Sequence, residues 1–227
     1  RRPLEKECRL LYKRQVYFQK VLNFLKIYYP RYHNIRKRVY MSDIPVYLQD
    51  AKSLLSADGF AVSDVWYHGT SSALLSSIKG QGLKRSGDKA LKQTAKTTMA
   101  TIGNNYTESI EPVFLTQSKE LAYYWASQTI KERSVRFEGE EMPIVLQLNL
   151  SEQLLSKVKP DVGAASLLLL KEGERFMAHL AGLYQVNGFD IPDIDLMKAD
   201  RMEYLNKLGM AYIDKDISVA CVELVSA

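Results

Sequence analysis

Cysteine and histidine are scarce in this chain. There are two cysteines, Cys8 and Cys221, and three histidines among 227 residues. The cysteines lie far apart without ligand-type residues beside them, so we expect free thiols in a reducing compartment rather than a disulfide framework. Scattered histidines without paired cysteines also argue against a zinc site, and we expect no metal.

Long apolar runs are absent as well. A membrane-spanning helix needs about 20 consecutive apolar residues, whereas the run SLLLL covers only 166–170. The first residues show no signal-peptide pattern. The composition, 46% hydrophobic and 25% charged, is typical of a globular protein. We therefore expect no membrane span and a cytoplasmic location, in the producing cell or in a target cell after delivery.

The charge is unevenly distributed along the chain. Residues 1–40 hold twelve Lys or Arg and two Glu, a balance of +10, whereas the remainder holds nineteen basic and twenty-four acidic residues, a balance of −5. Apolar residues recur at helical spacing over 4–29, and Pro30 ends the pattern. These features predict a basic helical extension over 1–60, with a second helix over 42–55.

Two interpretations of the basic extension stay open. Its apolar face can pack on the rest of the protein while the Lys and Arg side chains are solvated. Alternatively, its charges can bind an acidic partner, which would be a nucleic acid, an acidic antitoxin or immunity protein, or a membrane surface.

From Ser63 onward the chain changes to short apolar runs. They predict strands over 63–67, 112–116, 143–150, 210–213 and 217–225, with helices over 72–79, 118–132, 151–158, 171–185 and 197–207. The polar segment 84–111 has no periodicity and predicts a long mobile loop. The fold class is thus α+β, with a strand-rich domain over 61–227 behind the 1–60 extension.

The stretch VWYHGTSS, residues 65–72, holds the first candidate site residue. Gly69 is expected to end a strand, and Thr70 or Ser71 can cap the helix that follows. His68 would then lie where a rigid element meets a loop, which is a common place for functional side chains. The alternative is a histidine that only hydrogen-bonds its own turn.

Two further stretches follow in a set order. VFLTQSKELAYYWA, residues 113–126, reads as a short strand and then a helix with several aromatics. GMAYIDKDIS, residues 209–218, reads as a late strand. Together with YHGT and Gly82-Leu83, they resemble the NAD-dependent ADP-ribosyltransferase superfamily, most nearly its diphtheria-toxin and poly(ADP-ribose) polymerase branch, whose triad is His-Tyr-Glu. The resemblance covers about 63–227 and implies a split, mixed or antiparallel sheet with flanking helices.

The resemblance implies that NAD is the substrate and assigns roles to the first motif. His68 would hydrogen-bond the adenosine ribose. The backbone of Gly69 would hold the nicotinamide carboxamide, and its missing Cβ would let the ligand approach. Thr70 or Ser71 would add a hydroxyl contact.

The second motif would supply aromatic rings. Phe114 stands where the family often has a strand tyrosine, and Tyr123 stands at the helix tyrosine that stacks on the nicotinamide. Because the spacing from Phe114 is short, Tyr124 is the alternative. Aromatic faces suit a planar ring of this kind.

The third motif departs from the family. The position of the catalytic glutamate holds Ala211, which carries no charge, and the loss of such a group costs about 100- to 1,000-fold in rate or more. Three explanations stay open: a disabling substitution, a variant that uses another acid or is degenerate, and a misalignment. Asp214 should point away because side chains alternate along a strand, and Glu203 could reach the site only if the chain folds back.

The sequence therefore predicts a mono-ADP-ribosyltransferase, of the kind found as a bacterial or phage toxin or effector. It would move ADP-ribose from NAD to a protein or nucleic-acid acceptor and release nicotinamide. One alternative is an RNA 2′-phosphotransferase, which shares an early His-Gly-Thr motif. Another alternative is a catalytically inactive binding protein with the same fold. A further one is a nucleic-acid-binding protein that binds through its basic N-terminal segment.

Overall fold

The computed structural model describes residues 44–101, 110–161, 171–190, 194 and 198–227. The predicted basic helix over 4–29 and the connector over 31–40 lie outside these residues. The helices are α1 Ala51–Leu54, α2 Leu75–Gln81, α3 Lys89–Thr101, α4 Lys119–Ser134, α5 Glu152–Leu155, α6 Lys171–Val186 and α7 Arg201–Leu208. The strands are β1 Leu55–Ser56, β2 Gly59–Phe60, β3 Val65–Ser71, β4 Val113–Thr116, β5 Pro143–Asn149, β6 Lys159–Pro160, β7 Met210–Ile213 and β8 Val222–Leu224. The protein is therefore α+β, as expected.

The chain divides into two units. One contains 1–62 and 160–210, and the other contains 63–159 and 211–227. The sequence boundary near residue 60, with one domain over 61–227, stays a prediction.

The first unit contains a hairpin and two longer helices. Strands β1 and β2 pair Leu55 with Phe60 across a two-residue turn. The Phe60 ring meets that of Tyr184 edge-on, with centroids 5.9 Å apart, and the Tyr184 hydroxyl donates to the Lys207 carbonyl at 3.0 Å. Burial raises the pKa of Tyr184, so this hydroxyl stays a donor. The unit is thus organised around a buried aromatic pair.

The single helix predicted over 42–55 is wrong. The described part contains a short 3₁₀ turn at Val46–Leu48 and the four-residue α1. Pro45 has an extended backbone with ψ 138°, and a proline restricts the residue before it as well. Pairing of Leu55 in the β1–β2 hairpin then draws the chain out of the helical conformation.

The second unit is built on a mostly antiparallel sheet. Its strands follow the order β7–β4–β3–β5–β8, with β6 beside β7 at one edge. The central strand β3 pairs with β5 from Val65↔Asn149 to Ser71↔Pro143. This ladder includes Gly69↔Val145, so the expectation that Gly69 ends the strand is wrong. The strand continues because β5 supplies hydrogen-bond partners for its whole length.

Helix α4 packs closely on β3. Its N-cap is Ser118, whose Oγ accepts from the Leu121 N–H at 3.4 Å. A Cβ added to Gly69 would lie 1.7 Å from the carbonyl oxygen of Ala122 on this helix. No side chain fits in that space, so the glycine is required for the packing of helix on sheet.

The structureless loop predicted over 84–111 is also wrong, because α3 occupies 89–101. The Asp88 carboxylate accepts from the Leu91 N–H at 3.0 Å and caps the helix, which is a frequent role of aspartate. The helix is rich in Lys and Thr, and Leu91 and Met99 are its only large apolar residues, so the segment was not recognised as an amphipathic helix. The strand predicted over 217–225 is likewise shorter, since only Val222–Leu224 forms β8.

Candidate functional site

A cleft of about 420 Å³ opens in the second unit where β3 and β4 part. The two strands pair at Tyr67↔Thr116, and beyond this point both line the cleft. Its walls include His68, Gly69 and Thr70 from β3 and Phe114 from β4. The volume is in the range typical of small-molecule sites, about 300–1,000 Å³.

His68 is held by the neighbouring strand, not by its own turn. Its Nδ1 lies 2.8 Å from the carbonyl oxygen of Phe114. Because a carbonyl can only accept, Nδ1 carries the proton. Burial lowers the pKa of His68, and the bond to the carbonyl opposes this shift. The imidazole is therefore neutral at neutral pH, and its Nε2 is an acceptor suited to a hydroxyl group.

The other face of β3 carries a buried polar network. Ser71 is fully buried, and its Oγ donates to the Glu141 carboxylate at 2.5 Å. Arg133 donates to both oxygens of Glu141, at 2.7 and 3.0 Å, and also to Asp88. The Arg133 hydrogen bonds hold the pKa of Glu141 below its usual value, with a further contribution from Ser71. Ser71 also caps the 3₁₀ turn at Ser72–Leu74, as predicted, but it does not line the cleft.

The aromatic residues of the second motif divide between two environments. Phe114 is 44% exposed and lines the cleft. Tyr124 is buried, and its ring meets that of Trp125 edge-on at 5.2 Å. Tyr123 is half-buried, and neither tyrosine is among the residues that line the cleft. The structure thus groups Phe114 with His68 and leaves both helix tyrosines outside.

Ala211 is fully buried on β7 and does not line the cleft. The two acids considered as its substitutes are engaged elsewhere. Asp214 lies 3.1 Å from the Lys159 ammonium, and Glu203 lies 2.6 Å from Lys207, within the first unit. Neither pairing directs a carboxylate into the cleft.

The third motif, residues 209–218, nevertheless contacts Gly82-Leu83, the dipeptide that follows the first motif. Leu83 and Ile217 form an antiparallel bridge, with hydrogen bonds of 2.9 and 2.8 Å. Gly82 has φ 75°, and an added Cβ would lie 2.1 Å from the Ile217 carbonyl oxygen. Asp216 accepts from the Arg85 N–H at 3.0 Å, a bond that lowers the pKa of Asp216. The dipeptides Gly82-Leu83 and Asp216-Ile217 are therefore in contact.

Three acidic residues that the sequence interpretation missed line the cleft: Asp88, Glu111 and Glu132. Asp88 is bound to Arg133, and Glu132 lies 3.6 Å from Arg136. Within the described part of the chain, the Glu111 side chain has no ion-pair partner. No local sequence signal distinguished Glu111, because it reaches the cleft only through tertiary structure.

The backbone of Glu111 is clamped in place. Its N–H donates to Ser86 Oγ at 2.7 Å, and its carbonyl accepts from the Ser86 N–H at 3.1 Å. Among the described non-glycine residues only Ser86 has a positive φ, 56°. Such backbone conformations are costly and cluster at functional sites. The strained serine therefore fixes the position from which the Glu111 carboxylate extends.

Comparison of the chain with protein-family models, curated proteins and solved structures finds no match. Across the described ranges, no helix has both the length and the apolar character needed to cross a membrane. The same residues contain no group of three or more His, Cys, Asp or Glu side chains placed to hold a metal ion.

Proposed function

We propose that this protein is an NAD-dependent mono-ADP-ribosyltransferase, with the cleft between β3 and β4 as its NAD site. One observation carries the proposal: a neutral His68, fixed by the Phe114 carbonyl, lines the same cleft as the Gly69 backbone. This arrangement agrees with the roles that the motif resemblance implies for these residues.

The cleft offers complementary groups for the parts of NAD. The Nε2 atom of His68 can accept a hydrogen bond from a ribose hydroxyl. The Gly69 backbone lies where β3 and β4 part, and backbone groups supply both the donor and the acceptor that a carboxamide needs. The exposed ring of Phe114 offers a face for a planar ring. We assign NAD to these three residues and leave Tyr123 and Tyr124 to packing.

The reaction requires a negative charge near the sugar. The bond from ribose C1 to the nicotinamide nitrogen breaks, and the leaving nicotinamide takes the electron pair. The acceptor attacks C1 and loses a proton, while positive charge develops on the ribose. A fixed carboxylate stabilises that charge. We propose that Glu111 has this role and receives the proton, since Ala211 cannot.

The test measures transfer of ADP-ribose from NAD labelled in its adenylate half to macromolecules of a cell lysate. We expect Glu111→Gln to reduce transfer by about 100-fold or more, and Glu132→Gln, its matched control in the same cleft, to change it only a few-fold. Binding of NAD, followed by calorimetry, should survive both changes.

The same assay decides the role of position 211. Ala211→Glu is compared with Ala211→Gln, which has similar volume but no charge, and thermal unfolding checks that both variants fold. If only Ala211→Glu transfers label, position 211 holds the catalytic acid and the assignment to Glu111 is wrong. If no version binds NAD, the enzyme proposal as a whole fails.

One observation favours a second candidate function. Because Ala211 is buried and lies outside the cleft, the chain could bind NAD without consuming it. An inactive binding protein of this kind would bind NAD in the calorimeter. It would transfer no label, with or without a glutamate at position 211.

A further inference from the structure

A second depression adjoins the cleft, and its lining is strongly basic. We call it the basic furrow. Its volume is about 410 Å³, and it is lined by Arg85, Ser86, Lys89, Lys92, Gln93, Lys96, Ile110 and Asp216. Ser86 and Lys92 also line the NAD cleft. The two depressions therefore share an edge, and a ligand in one can reach the other.

The row of lysines follows from the geometry of α3. Lys89, Lys92 and Lys96 are separated by three and four residues, a spacing that puts side chains on one helix face. With a rise of about 1.5 Å per residue, the row extends over about 10 Å. Asp88 caps the helix and is bound to the buried Arg133. The row is therefore attached to the rigid network behind β3.

Among the described residues, the lining of the furrow carries four basic side chains and one acidic side chain. Residues 84–96 hold five Lys or Arg and one acid, in a chain whose residues 41–227 carry a balance of −5. That acid, Asp88, is bound to Arg133, and Asp216 is engaged by Lys84 and Arg85. Within the described ranges, Lys89 and Lys96 have no carboxylate at ion-pair distance, and both are exposed. Lys89 also lies at the positive end of the helix dipole, where a cation is unfavourable.

We propose that the basic furrow binds the phosphate backbone of a single-stranded nucleic acid, and that this strand is the acceptor of ADP-ribose. The inference rests on the proposed function and names its acceptor class. A hydroxyl or ring nitrogen of the bound strand attacks ribose C1 as the bond to nicotinamide breaks. The electron pair leaves with nicotinamide, and the proton of the nucleophile passes to Glu111.

The side-chain chemistry of the furrow suits phosphate groups. Lysine binds phosphate as a point charge, whereas the fork of an arginine matches carboxylate and phosphate alike. The arginine of the furrow, Arg85, is already paired with Asp216. Gln93 and Ser86 add uncharged groups that can hydrogen-bond to a backbone.

The test uses the full chain and fluorescence anisotropy with a labelled single-stranded RNA and a DNA of the same sequence. Lys89→Gln/Lys96→Gln is compared with Lys131→Gln/Lys157→Gln, which removes the same charge from exposed positions outside the furrow. The N-terminal segment is also basic, so the difference between the two double variants is the measurement. We expect the furrow variant to bind at least about tenfold more weakly and to lose about 1.4 from the slope of log affinity against log salt.

The outcomes separate the two proposals. Equal loss in both double variants would overturn the furrow assignment. So would stronger competition by an acidic peptide than by unlabelled oligonucleotide, which would make the furrow a protein-binding surface. We expect NAD binding to be unchanged in both double variants. A parent chain that binds the oligonucleotide through the furrow but never binds NAD would refute the acceptor role and the proposed function, but not the binding surface.

Discussion

The two faces of β3 differ in how completely their polar groups are satisfied. On the face towards α4, Gly69 leaves space for a helix carbonyl, and Ser71 joins a closed network with Glu141 and Arg133. The opposite face carries His68, and we call it the cleft face, although Glu132 of α4 also lines the cleft. There, His68 uses one ring nitrogen for the Phe114 carbonyl and keeps the other as an acceptor. Side chains alternate along a strand. Gly69 and Ser71 therefore face α4, whereas His68 and Thr70 face the other way.

The difference shows that residues 68–71 can serve stability on one face of β3 and ligand binding on the other. A rigid and fully bonded back face prevents β3 from shifting, and this rigidity holds the cleft-side groups in position. Changes on the back face should therefore affect stability first, whereas changes on the cleft face should affect ligand binding first.

Gly69→Ala should give the largest effect. The new Cβ would lie 1.7 Å from the Ala122 carbonyl oxygen, so α4 must move or the strand must bend. We expect the free energy of unfolding to fall by at least about 3 kcal/mol in urea titration. Gly80→Ala in α2 is the control: its Cβ meets nothing within 4 Å, and the exchange should stabilise the helix by about 0.5–1 kcal/mol. A Gly69→Ala protein that is normally stable but cannot bind NAD would show that the glycine serves the ligand and not the packing.

Arg133→Met should give the next largest effect. Arg133 is buried between Glu141 and Asp88, and its removal leaves two carboxylates without their cation. Because both acids are partly exposed, we expect a loss of about 2–3 kcal/mol, somewhat below the cost of breaking a fully buried pair. Arg136→Met is the matched control, since its exposed pair with Glu132 should contribute less than about 1 kcal/mol. Equal losses in the two variants would mean that the network does not stabilise the back face.

Sequence patterns predicted some of this arrangement but not all of it. Strand β7 was predicted at its observed bounds, and β4 and β5 within one residue, because their apolar runs are bounded by clear breaks. Strand β3 extends past Gly69 because β5 pairs along it, and pairing of this kind is not visible in a local pattern. Helix α3 depends on the Asp88 cap and on Arg133, which lies on another helix. Glu111 and the basic furrow were missed for the same reason, since both depend on tertiary contacts such as the one between Ser86 and Glu111.

His68→Asn should give the smallest effect on stability and should act on NAD binding. An asparagine amide can still donate to the Phe114 carbonyl, but it lacks the Nε2 acceptor. We expect an unfolding free energy within about 1 kcal/mol of the parent at pH 8, and NAD binding about tenfold weaker for the loss of one hydrogen bond. Calorimetry at this pH checks the second value. Unchanged affinity would remove His68 from the NAD site.

The pH dependence of NAD binding tests the same atom. Burial lowers the pKa of His68 below the ordinary value of 6.5, so the folded protein favours the neutral ring. The stability from this preference is present above pH 6.5 and is lost as the pH falls through the lowered pKa. A protonated Nε2 cannot accept from a hydroxyl, so NAD affinity should fall over the same acidic range, while His68→Asn should show a flatter profile. If acidification instead tightens binding, the ring meets an anionic group of NAD, because a cationic imidazole then contributes attraction to a phosphate.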